Sequence, residues 1–340
     1  MIRVGYFPCQ QDPPSAQHID RLWKEVIVEA GVAEQAGFDS CLFSEHHQQA
    51  DGYLPNPLLL AGLVGAATQR IRVGTCILLL PLYHPVHVAE DAAVVDVATG
   101  GRLILGVGVG YQQPDFDTFG VPFAERIGRC EEGIEILRRA WTGERFSFEG
   151  RHFRIGSVQV TPRPIQQQRL PIWMAAWTPP GLRRAARIAD AWLTDPLQSL
   201  PVIQRFAGIY RKEAEKLGRP ASVALMRDVW LASTRSGARA ESGPIMYTHR
   251  FYFRHGAYAP DDPYIQGVGS EEEWTFERAV KDRFVIGSPE ECRDELNRWC
   301  EEVHPDYLIL RMRHPGGPPH ARVVEAIRLF GEKVLPRLNP

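Results

Sequence analysis

Short apolar runs alternate along this chain with longer stretches in which apolar residues recur every three or four positions. The short runs are rich in Val, Ile, Leu and aromatic residues, as is typical of β-strands, and the longer stretches have the period of amphipathic helices. The predicted strands are Arg3–Phe7, Ser40–Ser44, Ile71–Leu78, Arg102–Val107, Ile172–Ala175, Ala191–Thr194, Ser222–Trp230 and Tyr307–Arg311, and the predicted helices lie at 20–36, 57–68, 86–98, 124–141, 179–189, 201–217, 288–302 and 319–334. Eight strands, each followed by a helix, predict a TIM-like (β/α)8 barrel of the α/β class.

Two segments interrupt this alternation. Phe146–Thr161 is expected to form a strand hairpin that turns around Gly150, and Arg235–Lys281 is a long insertion after the seventh strand. Loops much longer than about 12–15 residues are usually functional covers or disordered, and the aromatic residues of this insertion argue against disorder. We therefore expect one barrel domain over residues 1–340, with 146–161 as a hairpin insertion and 235–281 as a lid.

Composition and charge exclude several classes of function. The chain has 340 residues, of which 44% are hydrophobic and 24% are charged, and its formal net charge is −2. This balance offers no basic surface for nucleic acid, and no apolar run reaches the roughly 20 residues of a membrane span. The first residues enter a strand pattern with no signal peptide, so the expected location is the cytoplasm. The six cysteines show no CxxC spacing, which favours reduced thiols over disulfides or a zinc site.

The most reactive side chains follow the second predicted strand, in Ser44-Glu45-His46-His47. Titratable groups at the carboxyl end of a barrel strand are well placed for catalysis. His46, with an unperturbed pKa near neutrality, could act there as a general acid or base; the alternative is a histidine held by backbone groups for structural reasons. Adjacent His46 and His47 point to opposite sides of an extended chain, and no HExxH motif is present, so no metal site is predicted.

Small residues at other strand ends indicate a binding surface. The run from Gly106 to Gly110 has GxGxG spacing and lacks the helix and acidic residue of a dinucleotide fingerprint. Instead, Gly108 and Gly110, with the small pair Thr75-Cys76, would leave room for a flat group. Ala176-Trp177-Thr178 precedes a predicted helix, where backbone amides and the Thr178 hydroxyl could bind a phosphate; an ordinary helix cap is the alternative.

Together these segments resemble the luciferase-like monooxygenases, the bacterial luciferase family. The matching segments are Ser44–His47, Ile71–Pro85, Gly100–Gly108 and Gly287–Glu291, and the resemblance extends over nearly the whole chain. It implies a TIM-like barrel with an insertion after strand seven, reduced flavin mononucleotide (FMN) at the carboxyl-terminal mouth, and activation of O2 through a flavin C4a-hydroperoxide. The aromatic-rich insertion suggests a small, apolar organic substrate, and the lack of a nicotinamide fingerprint suggests a separate flavin reductase as a transient partner. Members of the family are often dimers, so a homodimer stays open.

The resemblance assigns roles to individual residues. His46 matches the catalytic histidine, Thr75-Cys76 the position of a non-prolyl cis peptide under the flavin ring, and Ala176-Trp177-Thr178 the phosphate-binding turn. Gly108 stands where luciferases proper carry a cysteine near the flavin, which disfavours light emission. Val109 stands where many members carry an arginine near the phosphate, which leaves that charge to backbone amides and other cations and implies a modest flavin affinity.

Two other functions remain open. Hydride transfer with a deazaflavin also occurs on this fold, although that branch tends to show Ser-Asp-His where this chain has Ser44-Glu45-His46. A non-catalytic flavin-binding subunit is the third reading, and the presence of His46 disfavours it.

Overall fold

Eight parallel strands close into a barrel in the computed structural model, which describes residues 2–339. The strands of the whole fold are β1 (Arg3–Pro8), β2 (Ser40–Phe43), β3 (Arg72–Leu78), β4 (Leu103–Val107), β5 (Phe146–Glu149), β6 (Arg154–Val158), β7 (Ile172–Ala175), β8 (Ala191–Leu193), β9 (Val223–Leu231), β10 (Phe284–Gly287) and β11 (Tyr307–Arg313). The barrel runs β1-β2-β3-β4-β7-β8-β9-β11 and closes where β11 pairs with β1. The predicted TIM-like fold is confirmed.

Helices surround the barrel and cross from each strand to the next, as parallel neighbours require. They are α1 (Ile19–Gln35), α2 (Pro57–Ala67), α3 (Pro85–Ala98), α4 (Gln113–Thr118), α5 (Arg126–Ala140), α6 (Pro179–Ile188), α7 (Leu200–Lys216), α8 (Arg235–Glu241), α9 (Ile245–Arg254), α10 (Phe276–Ala279), α11 (Pro289–Val303) and α12 (His320–Lys333). Helix α11 begins with a complete capping box between Ser288 and Glu291, which satisfies two backbone amides. Of the helices described in residues 2–339, none has the length and apolar character to cross a bilayer.

The insertions have regular structure of their own. Strands β5 and β6 pair antiparallel and form a separate hairpin. The long insertion after β9 contains α8, α9 and α10 and leads into β10, which pairs with the end of β9. Sequence analysis did not predict β10, because this strand stands between the long insertion and α11, outside the repeated alternation of one strand and one helix.

Apolar side chains fill both sides of the barrel wall. One cluster inside the barrel is built by alternate strand residues, including Phe7, Leu42, Ile104 and Met226, and a larger cluster lies between the strands and the helices. The inner cluster ends at Cys76, with Ile77 and Ala175 packed on it. These residues form a floor at the carboxyl ends of the strands.

Candidate active site

A cavity of about 370 Å³ opens above this floor, at the carboxyl ends of β2, β3, β4 and β7. Its walls include most residues that sequence analysis selected for a site: His46, Cys76, Gly108, Ala176, Trp177 and Thr178. Because loops after parallel strands converge at this end of a barrel, residues from four separate segments meet here.

His46 lies buried in the wall of this cavity, and its ring is held on both edges. The Gln112 side-chain amide lies 2.8 Å from His46 Nδ1, and the Tyr252 and Tyr111 hydroxyls lie 3.4 and 3.5 Å from Nε2. The edge of Tyr53 packs on the ring, with centroids 4.6 Å apart. An amide nitrogen can only donate, so Nδ1 accepts and the proton of a neutral ring sits on Nε2.

The protonation state of His46 differs from the expectation based on sequence. Burial, followed by the nearby His47 and His255, lowers the pKa of His46 to about 3. A side chain cut off from water cannot easily hold a charge, and no carboxylate is recorded in contact with this ring in the described chain. His46 is therefore a neutral imidazole at neutral pH, whereas its unperturbed pKa suggested a group that titrates there.

Glu45 and His47 point away from His46 and hold the wall together. Glu45 accepts hydrogen bonds from the Leu79 amide, the Tyr83 hydroxyl and His47 Nε2, each at 2.7 Å. Three donors stabilise a buried carboxylate and fix the loop after β3. Glu45 is thus bound by groups of the wall, as expected, although it also lines the cavity next to His46.

On the cavity floor, the cis peptide lies one residue later in the chain than the sequence analysis predicted. The non-prolyl cis peptide joins Cys76 and Ile77, so the predicted cis bond between Thr75 and Cys76 is wrong. Thr75 does not line the cavity: it is fully buried, and its hydroxyl donates to the Gly106 carbonyl at 2.6 Å. Ile77 lines the cavity instead. Strand alternation explains why Thr75 faces away from Cys76. Ile77 lies on the same side as Cys76 because the register of β3 against β4 shifts between Thr75 and Leu78, which interrupts the alternation there.

Glycine is required at two positions beside this floor, for different reasons. A Cβ on Gly108 would lie 2.7 Å from the Ile77 side chain, so the space left open by Gly108 is occupied by Ile77. Gly110 has φ of +75°, a left-handed conformation that glycine adopts without strain. Gly108 lines the cavity as predicted, but its missing side chain serves the packing of Ile77.

The turn Ala176-Trp177-Thr178 forms the opposite end of the cavity, where α6 begins. Thr178 caps this helix by accepting the Gly181 amide on its hydroxyl at 3.3 Å. Pro179 and Pro180 carry no N–H, so the first turn of α6 offers few free donors to an anion. An anion at this end would need additional cations.

Two arginines, which sequence analysis missed, supply these cations. Arg126 at the start of α5 and Arg184 on α6 both line the cavity, near the Thr178 turn. Arg184 pairs with Glu131 at 2.8 Å. Arg126 donates to the Phe123 carbonyl, and its buried Nε has no partner among the described residues. Burial and the charge of Arg184 both lower the pKa of Arg126, which is the expected result when two cations share a site built for an anion.

Helix α9 of the long insertion covers the mouth of the cavity. Tyr252 lines the cavity, Phe251 packs its edge on His46 with centroids 5.9 Å apart, and the Tyr247 hydroxyl donates to Asp51 at 2.8 Å. Trp274, farther along the insertion, is buried in packing. The insertion therefore places aromatic side chains beside His46 and along one side of the cavity; its mobility and its closure over a cofactor stay predictions.

One group of potential metal ligands lies outside this cavity in the described part of the chain: Glu25, Glu29 and His320. Arg313 donates to both carboxylates, and His320 Nδ1 lies 2.7 Å from Glu29. The negative charge is already balanced by a buried cation, so this cluster is an ion-pair network that joins α1 to β11.

The cavity fits a flat ring carrying a phosphate chain. An apolar floor at Cys76 and Ile77 suits an aromatic ring, and the guanidinium groups of Arg126 and Arg184, which line the same cavity as Thr178, suit a phosphate. The residues that would hold such a cofactor are those of the floor, Gly108 and the Ala176–Thr178 turn, with Arg126 and Arg184 added.

Comparisons with known proteins identify a family and relatives that match most of the chain. The sequence pattern of the family described as luciferase-like monooxygenase matches residues 3–304. An F420-dependent glucose-6-phosphate dehydrogenase of Microbacterium testaceum is 31% identical over 336 residues, covering 92% of this chain and 93% of the relative. The oxygenase component of a flavin-dependent trigonelline monooxygenase of Acinetobacter baylyi is 25% identical over 321 residues, covering 90% of this chain and 88% of the relative.

A solved structure has a similar fold over almost the whole chain. The crystal structure of a monooxygenase from Streptomyces bottropensis has a TM-score of 0.85 to this fold at 25% identity, covering 98% of this chain and 99% of that chain. By their names, the Microbacterium relative depends on F420 and the Acinetobacter relative on a flavin, and this chain is similar to both.

Proposed function

The chain belongs to the luciferase-like monooxygenase family of flavin- and F420-dependent oxidoreductases, and on that basis we propose that it is a two-component, FMN-dependent monooxygenase. It takes reduced FMN from a separate reductase and uses O2 to oxidise a small, apolar organic substrate. The observation that carries the proposal is a buried His46, neutral at neutral pH, in a cavity that is also lined by Arg126, for which the described chain provides no carboxylate partner. Bound reduced FMN would supply the two electrons that activate O2.

His46 moves or holds a proton at Nε2. With Gln112 donating to Nδ1, the Nε2 N–H points toward the Tyr111 and Tyr252 hydroxyls, where it can donate a hydrogen bond to a reacting oxygen. If the Gln112 amide turns by 180°, its oxygen faces the ring and favours the tautomer with the proton on Nδ1, so that Nε2 becomes an acceptor. The neutral ring can thus offer either a hydrogen-bond donor or an acceptor at Nε2, and a proton taken up there as a base gives the ring a positive charge until it is passed on.

The other residues bind and exclude water. Arg126, Arg184 and the Thr178 hydroxyl hold the phosphate, while Ile77 and Cys76 support the ring. Tyr252 and Phe251 of α9 close the mouth, which keeps water away from reactive oxygen species. In these roles, Arg126 and Arg184 supply the positive charge that many members of the family carry as an arginine at the position of Val109.

Hydride transfer with F420 is the second candidate. It is favoured by the 31% identity to an F420-dependent dehydrogenase. The deazaflavin ring has the same flat shape, and the cavity floor would accept it equally. Glu45, bound to three donors in the wall, occupies the position where that branch tends to carry an aspartate.

A reconstituted assay with both cofactors tests the proposal. The protein is supplied with FMN and a flavin reductase, or with reduced F420, and O2 uptake and product are followed over a panel of apolar substrates. Substrate-dependent O2 uptake with FMN alone supports the proposal. Oxidation or reduction of substrate with F420 and without O2 uptake would establish the second candidate. Cofactor binding without turnover on any substrate would favour a non-catalytic subunit.

A further inference from the structure

Helix α9 of the long insertion carries a histidine that is buried away from the cavity. The ring of His249 is fully buried and packs on Phe284 of β10, with centroids 4.5 Å apart. Its Nε2 lies 2.7 Å from Oδ2 of Asp228 in β9, and its Nδ1 lies 2.6 Å from the Tyr258 hydroxyl. These three polar groups do not line the cavity, so the proposed function gives them no role.

The hydrogen bonds of His249 have a defined direction. Asp228 also accepts from Arg311 of β11, which donates from Nε and, at 2.8 Å, from Nη2. Burial raises the pKa of Asp228, but the charge of Arg311 and the His249 hydrogen bond outweigh burial and hold that pKa below its usual value. An ionised carboxylate can only accept, so Nε2 of His249 carries the proton and Nδ1 accepts from the Tyr258 hydroxyl. The Tyr258 oxygen accepts in turn from the Trp274 indole N–H at 3.2 Å.

These bonds form one buried chain of donors and acceptors, which we call the α9 anchor: Trp274, Tyr258, His249, Asp228 and Arg311. It joins the loop after α9, and α9 itself, to β9 and β11 of the barrel. Burial lowers the pKa of His249 to about 4, so the ring is neutral at neutral pH and its two nitrogens keep their separate roles. A buried network in which each donor meets an acceptor favours a single arrangement of the elements that it joins.

The α9 anchor lies one helical turn from the residues of α9 that contact His46. Tyr252 follows His249 by three residues, so the two side chains are neighbours on the helix surface. The Tyr252 hydroxyl lies 3.4 Å from His46 Nε2, and Phe251 packs its edge on the His46 ring. His255, at the end of the same helix, contributes to the lowered pKa of His46. A shift of α9 at His249 would therefore change the surroundings of His46.

We propose that His249 is a positioning residue, whose hydrogen bonds to Asp228 and Tyr258 hold α9 on the barrel and thereby keep His46 buried beside Tyr252. This inference deepens the proposed function and rests on it for the role of His46 in proton transfer. Aromatic packing alone would leave α9 more freedom, because apolar contacts have no direction, whereas a buried hydrogen bond restricts both distance and angle.

The substitution His249→Phe removes both hydrogen bonds and keeps a ring that can pack on Phe284. Water should then reach His46, so the pKa of His46 should rise from about 3 toward its unperturbed value of about 6.5. NMR titration of 15N-labelled histidine side chains between pH 5 and pH 8, without cofactor, measures this change. His46 should show no titration in the wild type and a midpoint above pH 5 in His249→Phe. The His46 signal is identified by its absence from the spectrum of His46→Gln.

Hydrogen exchange gives a second measurement that does not depend on His46. The backbone amides of α9 should exchange about 10–100-fold faster in His249→Phe than in the wild type, the range for losing a hydrogen bond to a charged group. The amides of α11 should exchange at the wild-type rate. Tyr258→Phe removes one hydroxyl and leaves the bond between His249 and Asp228, so it should also speed exchange in α9. This second variant keeps the test decisive if His249→Phe does not fold.

The matched control is Tyr264→Phe, which removes a hydroxyl of the same insertion that donates to Asp282, just before β10. It should leave the titration of His46 and the exchange of α9 as in the wild type. Unchanged titration and exchange in His249→Phe and Tyr258→Phe, with only lower melting temperatures, would make His249 an ordinary packing residue and overturn the proposal. Equal effects of Tyr264→Phe and His249→Phe would overturn it as well.

Both measurements use the protein without a cofactor. Failure of FMN to bind or to support turnover would therefore refute the proposed function and leave the result for His249 standing.

Discussion

The protonation of His46 makes a quantitative prediction about stability. In the folded chain the pKa of His46 is lowered to about 3, whereas in the unfolded chain it returns to about 6.5. Between these values the unfolded state binds one more proton, so stability is complete above pH 6.5 and is lost as pH falls. From pH 7 to pH 5 this one residue should cost about 2 kcal/mol, at about 1.36 kcal/mol per unit over 1.5 units.

Urea unfolding of the wild type and of His46→Gln at pH 7 and pH 5 measures this difference. Glutamine is polar and cannot titrate, so the variant should lose about 2 kcal/mol less than the wild type on acidification, whatever its stability at pH 7. His249 and His314, whose pKa values burial lowers to about 4, are present in both proteins and cancel. The control is His87→Gln, since the His87 side chain is 79% exposed. If the wild type and His46→Gln lost the same free energy of unfolding between pH 7 and pH 5, folding would not lower the pKa of His46. That result would refute the neutral-imidazole mechanism.

Two further predictions concern activity and affinity. His46→Ala should lower turnover by about 10²–10⁴-fold and leave cofactor affinity nearly unchanged, because it removes a group that takes part in proton transfer. Steady-state kinetics measure the turnover, and fluorescence titration measures the affinity. A parallel loss of affinity, activity and stability would mean that His46 has a structural role. Arg126→Ala should weaken FMN binding about 10–100-fold, the range for a charged hydrogen bond. The exposed Arg183→Ala serves as its control, and unchanged affinity in Arg126→Ala would remove Arg126 from the phosphate site.

The barrel itself could be predicted from the sequence, because strand and helix periods leave clear patterns in a chain with regular βα units. All eight predicted helices and all eight barrel strands occur in the structure, within a few residues at their ends. The position of His46 followed from the same logic, since a polar residue directly after a buried strand must emerge at the barrel mouth.

The rest of the site depended on contacts between distant segments. Tyr252 reaches His46 from 206 residues along the chain, and the burial that lowers the pKa of His46 comes partly from that helix. Arg126 stands at an ordinary-looking helix start, so nothing local marks it as facing a cavity. The exchange of Thr75 for Ile77 depended on the shift in register of β3 against β4 between Thr75 and Leu78. No local pattern distinguished a cis bond at Thr75–Cys76 from one at Cys76–Ile77.

The most direct test of the account is a crystal structure of the protein soaked with FMN. The account predicts the flavin ring above Cys76 and Ile77, beside His46, with the phosphate bound by Thr178, Arg126 and Arg184. A phosphate bound elsewhere, or a cavity that takes up F420 under the same conditions and excludes FMN, would contradict it.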